Sequence, residues 1–443
     1  MPLRPVTDAL ERLQVEADPD RRTRRRPDIF AAWWLESFGY TLAALYLSYF
    51  VILYRAGTWI IGKTGLPIYT DFGFFWLAGI QALNGNTAAL YDPAQLTKIQ
   101  AALFQPSNFI YLDWAYPPTF LLILAPLALL PYRYAFITWD VLTLLGCVAA
   151  VYLVVRRKTA IALVLAAPFT AWNFLAAQNG FLTASLLGAS LFFLERRPIV
   201  AGIFLGCLTY KPQFGILFPV ALVASRQWRA VLSAAVTTVF LAGISIALFG
   251  TESWIAFPRE LFTQAGLDRV VAPDSNWSFL LSVVGLFHSL HGFVAFAYIA
   301  QGATAVGLAV LIWWVWRSPI VYNLKSATLS AAALLASPHV FTYDLAAIVI
   351  PAAFLAADQL DRGLLRGDKA IWIALFGAPL AVLVTLGDNA HGPTFSSTPV
   401  GVLTTIAFLA VILRRVVSSD LRQAHSRGGQ PIAQSSSPLT GTR

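Results

Sequence analysis

Residues 132–158 read YRYAFITWDVLTLLGCVAAVYLVVRRK, an apolar run that ends in the three cations Arg156, Arg157 and Lys158. A helix of about 20 apolar residues is long enough to cross the hydrocarbon core of a bilayer. Lys and Arg residues beside such a helix favour the cytoplasmic side of the membrane. The stretch therefore predicts a transmembrane helix whose C-terminal end lies in the cytoplasm.

The same pattern extends over most of the chain. Of its 443 residues, 58% are hydrophobic and 12% are charged, whereas about a quarter of the residues in a soluble globular protein are charged. We predict an all-α, polytopic transmembrane helical bundle with about ten to twelve spans. Pro131 and the pair Lys211-Pro212 are expected to break two of its apolar segments. The remaining apolar segments lie at roughly 36–55, 159–177, 180–194, 230–249, 278–316, 324–357, 370–387 and 399–416.

The net charge of +9 comes mostly from basic clusters beside these apolar segments. Such clusters hold short loops in the cytoplasm, and the first of them can also contact anionic lipid. This placement argues against nucleic-acid binding and makes membrane lipids the expected partners. Cys147 and Cys207 lie inside apolar stretches, which indicates neither a disulfide nor a thiolate metal site. The basic clusters occupy residues 21–26, 156–158, 196–197, 226–229 and 414–415.

Three parts of the chain differ in composition. Residues 1–28 are predicted to form a basic cytoplasmic tail, residues 29–416 the transmembrane domain, and residues 417–443 a disordered cytoplasmic tail rich in serine. No apolar region lies near Met1, so the sequence predicts no cleavable signal peptide. We expect a multi-pass protein of the plasma (inner) membrane with both termini in the cytoplasm.

This topology places two long segments, 57–116 and 250–276, on the extracytoplasmic side. Segments of this length inside a compact bundle are usually functional or disordered. Their aromatic residues argue against disorder. We expect the two segments to cover a cavity at the outer face of the membrane.

The first outer segment contains an isolated acid, Asp71, in the stretch Tyr69–Trp76. No second acid lies within ten residues, which argues against a local pair of carboxylates as in retaining glycosidases. A single carboxylate can act as a general base and take the proton of an acceptor hydroxyl group. The alternative is that Asp71 only caps the helix predicted over 72–83.

The sequence contains no motif for a nucleotide-bound or metal-bound donor. The only Asp-x-Asp is Asp18-Pro19-Asp20 in the N-terminal tail, and neither a phosphate-binding glycine loop nor a metal-ligand cluster is found. We therefore expect no metal and no cofactor. A donor whose leaving group is a lipid phosphate needs only cationic or amide groups. Lys211, flanked by apolar residues, is the best candidate for a phosphate ligand, and snorkelling to the interface is the alternative.

Two polar islands interrupt the apolar segments. One contains His339 and Asp344, which can hydrogen-bond a sugar or orient a base. The other contains Gln178 and Asn179, whose amide groups suit sugar hydroxyls. The alternative for both islands is a turn between helices without a functional role.

Several of these segments, taken in order along the chain, resemble glycosyltransferase family 87, also known as the domain-of-unknown-function 2029 family. The resemblance extends over roughly residues 36–360. It rests on the order of short motifs rather than on any one of them. The motifs are Tyr69-Thr70-Asp71-Phe72, Leu90-Tyr91-Asp92, Tyr116-Pro117-Pro118, Ala125-Pro126, Leu130-Pro131, Ala201-Gly202, Lys211-Pro212 and Ser337-Pro338.

The resemblance implies a GT-C glycosyltransferase fold and extracytoplasmic transfer from a polyprenyl-phosphate sugar without a metal. Its best-known members are polyprenol-phosphate-mannose-dependent mannosyltransferases. In the family, an aspartate of the first outer loop is the proposed base, which corresponds here to Asp71. A histidine in a later outer loop is also implicated, and His339 matches it. Gln178-Asn179-Gly180 departs from the Asn-Gly-Gln that is common in the family.

We therefore expect an integral membrane hexosyltransferase, with mannose as the expected sugar and a lipid or glycan as acceptor. Lys211 and Arg269 are expected to hold the donor phosphate. The other expected substrate-binding residues are Trp76, Trp114 and Tyr116 beside the sugars, and Gln178, Asn179 and Asp344. The alternatives are a secondary transporter or flippase of a lipid-linked sugar, a lipid-linked glycan polymerase or ligase, and a non-catalytic membrane scaffold.

Overall fold

The chain folds almost entirely into helices in the part that the structure, a computed structural model, describes. Outside these helices, the described residues form only two isolated antiparallel bridges, Ile61 with Pro67 and Leu280 with Phe341. The prediction of an all-α, polytopic membrane protein is confirmed. The described residues are 29–68, 70–104, 114–262, 280–290, 293–365, 367, 368, 372, 377 and 398–428.

The α-helices are numbered in chain order. The first part of the chain forms α1 Ile29–Ala56, α2 Asp71–Leu83, α3 Pro93–Leu103, α4 Leu121–Leu127, α5 Tyr132–Val155, α6 Thr159–Ala166, α7 Pro168–Ala176, α8 Gly180–Leu194 and α9 Pro198–Cys207. The second part forms α10 Phe218–Ala224, α11 Trp228–Phe249, α12 Thr251–Phe262, α13 Val283–Ser289, α14 Val294–Arg317, α15 Tyr322–Ala336, α16 Val349–Arg362 and α17 Thr398–Gly428. Short 3-10 turns cover Thr87–Tyr91, Pro118–Phe120, Leu208–Tyr210, Pro212–Gly215 and Thr342–Ile348.

Five helical segments among the described residues are long and apolar enough to cross a membrane. A sixth is reached if α6 and α7, which are bent by 69° relative to each other, form one span. The expected ten to twelve spans also included segments that fold here as shorter apolar helices, such as α8. The five long segments are Tyr132–Val155, Trp228–Phe249, Ala295–Arg317, Thr342–Arg362 and Val400–Ser418.

Proline breaks the helices at both places where the sequence predicts a break. Pro131 stands immediately before α5 and separates it from α4. Between α9 and α10 the chain forms two 3-10 turns, with Lys211 at their junction. Proline lacks an N–H group and its ring clashes with the preceding turn, which disfavours a continuous helix there.

Helix α17 continues to Gly428 and thus runs into the segment predicted as a disordered tail from residue 417. The helix therefore covers the first residues of the predicted tail. No proline or glycine interrupts residues 402–427, so nothing in the sequence stops the helix at the polar residues after Val417.

A buried network of charges joins the end of α16 to α17. Arg415 donates to Asp358 Oδ2 at 2.9 Å, to Asp368 Oδ2 at 2.8 Å and to the carbonyl oxygen of Gly363 at 2.9 Å. Arg362 also pairs with Asp358. The Arg415, Asp358 and Asp368 side chains are at most 5% exposed. The network fixes the last long helix against the rest of the bundle.

The two segments expected on the outer side lie against each other where they are described. The Thr87 hydroxyl donates to the carbonyl oxygen of Phe249, the residue just before the second segment, at 3.0 Å, and the rings of Tyr91 and Phe257 are 5.9 Å apart. The first segment contains the helices α2 and α3. Their contact means that both segments belong to the same end of the bundle.

Candidate active site

Asp71 is the first residue of α2, and Thr70, rather than Asp71, caps this helix. The Thr70 hydroxyl oxygen accepts the N–H of Gly73 at 3.4 Å and also lies 3.0 Å from the Tyr132 hydroxyl group. The suggestion that Asp71 only serves as the helix cap is therefore wrong. Its carboxylate lies at the positive end of the helix dipole and is available for other contacts.

The half-buried Asp71 carboxylate has an amide and a cation beside it. Gln178 hydrogen-bonds it, and the charge of Lys211 acts on it. Burial is the largest effect and raises the pKa of Asp71, whereas the Gln178 hydrogen bond and the Lys211 charge lower it. A raised pKa makes the carboxylate a stronger base than an exposed aspartate.

The segment that carries Gln178 forms a tight turn between α7 and α8. Ala177 has a left-handed backbone with φ of 46°. The Asn173 side chain donates to the Gln178 carbonyl oxygen at 3.1 Å and accepts the N–H of Gly180 at 2.9 Å. The Gln178 side-chain oxygen accepts the N–H of Asn179 at 3.1 Å, so its amide nitrogen is left to donate to Asp71.

Asn179 and Gly180 connect this turn to two other segments. The Asn179 amide nitrogen donates to the Tyr116 hydroxyl group at 2.8 Å. Its side-chain oxygen is buried and has no hydrogen-bond partner among the described residues. A Cβ atom on Gly180 would lie only 2.1 Å from the Tyr343 carbonyl oxygen. Only glycine therefore lets this turn approach the polar island that contains Tyr343 and Asp344 so closely.

The second polar island supplies a carboxylate for Lys211. The Lys211 Nζ atom lies 2.5 Å from Asp344 Oδ1, and both side chains are buried. Asp344 Oδ2 also accepts the N–H of Phe341 at 3.1 Å. The structure thus brings together five residues that the sequence analysis selected from separate segments: Asp71, Gln178, Asn179, Lys211 and Asp344.

Two of the three expected aromatic residues lie at or behind this cluster. Tyr116 is half-buried and its hydroxyl group hydrogen-bonds that of Tyr343. The buried ring of Trp114 lies 5.1 Å from the ring of Tyr116 and therefore supports it from behind. Trp76 instead donates to the Leu130 carbonyl oxygen at 3.1 Å and packs against Tyr132, so its described contacts are to the scaffold.

The two remaining predicted residues are His339 and Arg269. His339 is half-buried, and none of the described contacts joins its imidazole ring to Asp71 or Lys211. Burial lowers the pKa of His339 from its ordinary value of 6.5, which favours the neutral ring at pH 7. Arg269 lies outside the described residues, so its role stays a prediction.

The structure also shows polar residues to which the sequence analysis assigned no role. Tyr343 is one of them, although its position next to Asp344 in the polar island was a usable signal. Asp140 is another: it is 1% exposed inside the span α5, and neither carboxylate oxygen has a partner among the described residues. An acid within an apolar run is visible in the sequence, but no described contact connects Asp140 to the Asp71 cluster.

The cluster, made of Asp71, Tyr116, Gln178, Asn179, Lys211, Tyr343 and Asp344, combines the half-buried Asp71 carboxylate with hydroxyl and amide groups and with the buried ion pair of Lys211 and Asp344. Hydroxyl and amide groups suit the hydroxyls of a sugar or of an acceptor. The carboxylate is placed to receive a proton from such a hydroxyl group. No group of three or more His, Cys, Asp or Glu side chains suitable for a metal ion is found among the described residues.

Comparison with known protein families gives one result. The model of glycosyltransferase family 87 matches residues 114–338, more than half of the chain. The matched region includes Tyr116, Gln178, Asn179 and Lys211, whereas Asp71 precedes it. No curated protein and no solved structure matches the chain.

Proposed function

Because this chain belongs to glycosyltransferase family 87 and is a membrane glycosyltransferase, we propose that it transfers a hexose, mannose, from a polyprenyl-phosphate donor. The acceptor is a hydroxyl group of a lipid or a glycan. The observation that carries the proposal is Asp71, a half-buried carboxylate beside Gln178 whose pKa is raised by burial. It is the general base of the transfer.

The reaction proceeds in one displacement. Asp71 takes the proton of the acceptor hydroxyl group while the acceptor oxygen forms a bond to the anomeric carbon. The bond between this carbon and the phosphate oxygen breaks, and the polyprenyl phosphate leaves with the electron pair. Attack from the face opposite the leaving group inverts the configuration. The phosphate is a good leaving group as an anion, so the displacement itself requires no second acid.

The neutral groups around Asp71 bind the reacting hydroxyls. The Asn179 side-chain oxygen is buried without a described partner, so it accepts a hydrogen bond from a sugar or acceptor hydroxyl. The Tyr116 and Tyr343 hydroxyl groups are half-buried and close to Asp71. His339, neutral and half-buried, contributes a further donor or acceptor to the substrate.

Transfer takes place on the extracytoplasmic side of the membrane. The hydroxyl group of Tyr132, at the N-terminal end of α5, lies 3.0 Å from the hydroxyl group of Thr70, the residue before Asp71. The opposite end of α5 is followed by Arg156, Arg157 and Lys158, which favour the cytoplasm. Helix α8 has the same arrangement, because it begins at Gly180 in the site and its last residue is separated from the Arg196-Arg197 pair only by Glu195.

Reconstitution in liposomes tests this function. The purified protein receives a short-chain polyprenyl-phosphate mannose and a lipid extract as acceptor, and mass spectrometry detects products heavier by one hexose. Asp71→Asn should lower the rate by a factor on the order of 10³. The control Asp92→Asn, which alters the half-buried cap of α3 in the same segment, should keep the activity.

Two outcomes would contradict the proposal. Full activity of Asp71→Asn would show that Asp71 is not the general base. Product formed from a nucleotide sugar alone, in the absence of any lipid-linked donor, would exclude the polyprenyl-phosphate donor class.

A further inference from the structure

The ammonium group of Lys211 is enclosed by other side chains. Its Nζ atom lies 2.5 Å from Asp344 Oδ1. The centroids of three aromatic rings surround it at 4.8 Å for Tyr343, 5.7 Å for Phe214 and 5.8 Å for Tyr116. Aromatic faces attract a cation and also keep other ligands away from it. Only 5% of the Lys211 side chain is exposed, which leaves little access for a phosphate group.

The cluster is arranged in two layers. Asp71, Tyr116 and Tyr343 are half-buried and form the layer that a substrate can reach. Lys211 and Asp344 are buried beneath them. A substrate that enters therefore meets the carboxylate and the phenolic hydroxyl groups before it can meet the ammonium group.

The net charge of the cluster also argues against phosphate binding by Lys211. The cluster contains two carboxylates and one ammonium group, so in its ionised form it has an excess of one negative charge. Such a site repels the phosphate of the donor. The contrast is with Lys residues that bind phosphate as accessible point charges.

The geometry of an inverting displacement separates base and phosphate as well. The attacking hydroxyl and the leaving phosphate lie on opposite faces of the anomeric carbon. Asp71, as the base, must contact the attacking hydroxyl. Lys211 lies in the same cluster, with Nζ 5.8 Å from the Tyr116 ring centroid, and is therefore on the side of the attacking hydroxyl group rather than on the side of the leaving phosphate.

We propose that Lys211, held by Asp344 and the aromatic cage, is a positioning residue that serves as the fixed counter-ion of Asp71 and does not bind the donor phosphate. This replaces the phosphate-binding role expected from the sequence, and it rests on the proposed function because it concerns the same transfer. The donor phosphate is bound outside the Asp71 cluster. The cluster itself binds the hydroxyl groups of the sugar and of the acceptor.

The pH profile of transfer tests the counter-ion role. The groups that face Asp71 are Lys211, Gln178 and the phenols of Tyr116, Tyr132 and Tyr343. The positive charge of Lys211 lowers the pKa of Asp71, and the base acts in its deprotonated form. Lys211→Met should therefore move the acidic limb of the kcat profile to higher pH by about one unit, with the KM for the donor unchanged. A raised KM with an unmoved limb would overturn the proposal.

A double variant separates this effect from misfolding. Lys211→Met leaves Asp344 buried without its cation, which can unfold the protein. The double variant Lys211→Met/Asp344→Asn removes both charges and should regain the unfolding temperature of the wild type. The shift of the acidic limb should persist in it, because the charge that acts on Asp71 is still missing. Return of the limb to the wild-type pH would overturn the counter-ion role.

Two measurements without turnover distinguish this proposal from the proposed function. The pH dependence of the difference in unfolding temperature between Asp71-containing and Asp71→Asn proteins reports the Asp71 pKa, and Lys211→Met should shift it upward. Geranyl phosphate, as a probe, should bind wild type and Lys211→Met equally well. Binding weakened tenfold by Lys211→Met would overturn the proposal. Failure of the wild type to bind the probe or to transfer from any lipid-phosphate sugar would count against the donor class alone, while the pH shift still decides the role of Lys211.

Discussion

Two buried groups of charged residues, Lys211 with Asp344 and Arg415 with its two aspartates, are built differently. Arg415 spreads its donors over Asp358, Asp368 and the Gly363 carbonyl oxygen. Lys211 has one carboxylate partner within an aromatic cage, and Asp71 lies beside it in the half-buried layer. The first group joins two helices. The second lies beside the half-buried Asp71 carboxylate, and its cluster also contains the Asn179 side-chain oxygen, which has no partner among the described residues.

The comparison teaches that burial of charge alone does not identify an active site. Both groups are equally protected from solvent. What distinguishes the Lys211 group is the adjacent half-buried acid Asp71, because a buried oxygen without a partner among the described residues occurs in both groups, at Asn179 and at Asp368 Oδ1. Four predictions can break or sharpen this distinction.

Arg415→Met should have the largest effect, and only on stability. Its loss leaves Asp358 and Asp368 buried with fewer partners, which should lower the free energy of unfolding by about 3–5 kcal/mol. Activity per folded molecule should stay the same. Thermal unfolding in detergent and transfer rates measure the two quantities, with Arg229→Met at an exposed position of α11 as control. An unchanged stability, or a loss of turnover in the folded fraction, would contradict the assignment of this network to the scaffold.

Gly180→Ala should damage the active-site cluster instead. The new Cβ atom would lie 2.1 Å from the Tyr343 carbonyl oxygen, so the two polar islands must separate. A displacement of about 1 Å can lower the rate by about 10²-fold, and kinetics in liposomes measure this. Gly302→Ala in α14, where the Cβ atom meets nothing within 4 Å, is the matched control and should be harmless. Equal activity of both variants would show that the contact with Tyr343 is dispensable.

His339 tests how far the active site extends beyond the described contacts. If the neutral imidazole hydrogen-bonds the substrate, His339→Leu should lower kcat/KM by about tenfold, the equivalent of one lost hydrogen bond. His339→Gln keeps a donor and an acceptor and should retain more activity. The ratio of the two variants is the measurement. If both retain the wild-type kcat/KM, the histidine belongs to the scaffold.

Trp76→Phe should have the smallest effect. Trp76 donates to the Leu130 carbonyl oxygen and packs on Tyr132, so its substitution removes one hydrogen bond at the edge of the scaffold. The free energy of unfolding should fall by about 1 kcal/mol, with kcat/KM unchanged. A clear rise in KM for the donor would show that Trp76 binds the sugar, as expected from the sequence.

Local chemistry made much of the fold and part of the site predictable. Proline at positions 131 and 212 disfavours a continuous helix through its own backbone chemistry. The Pro93–Leu103 helix likewise follows from local sequence, because Asp92 caps its first turn. The boundary at residue 416 was less predictable, because a helix end without proline or glycine depends on what the helix packs against. The role of Trp76 stays a prediction, because the side of a helix that faces a site depends on the neighbours of that helix in space.

The sequence by itself determined that this is a helical membrane protein, where its helices break, and which polar residues interrupt its apolar segments. These properties depend on hydropathy and on backbone chemistry, which act over a few neighbouring residues. Only the tertiary structure decided that Gly180 touches Tyr343 and that Lys211 is already paired with Asp344. The last contact joins residues 133 positions apart, and the distances that set the charge around Asp71 exist only after the helices have packed.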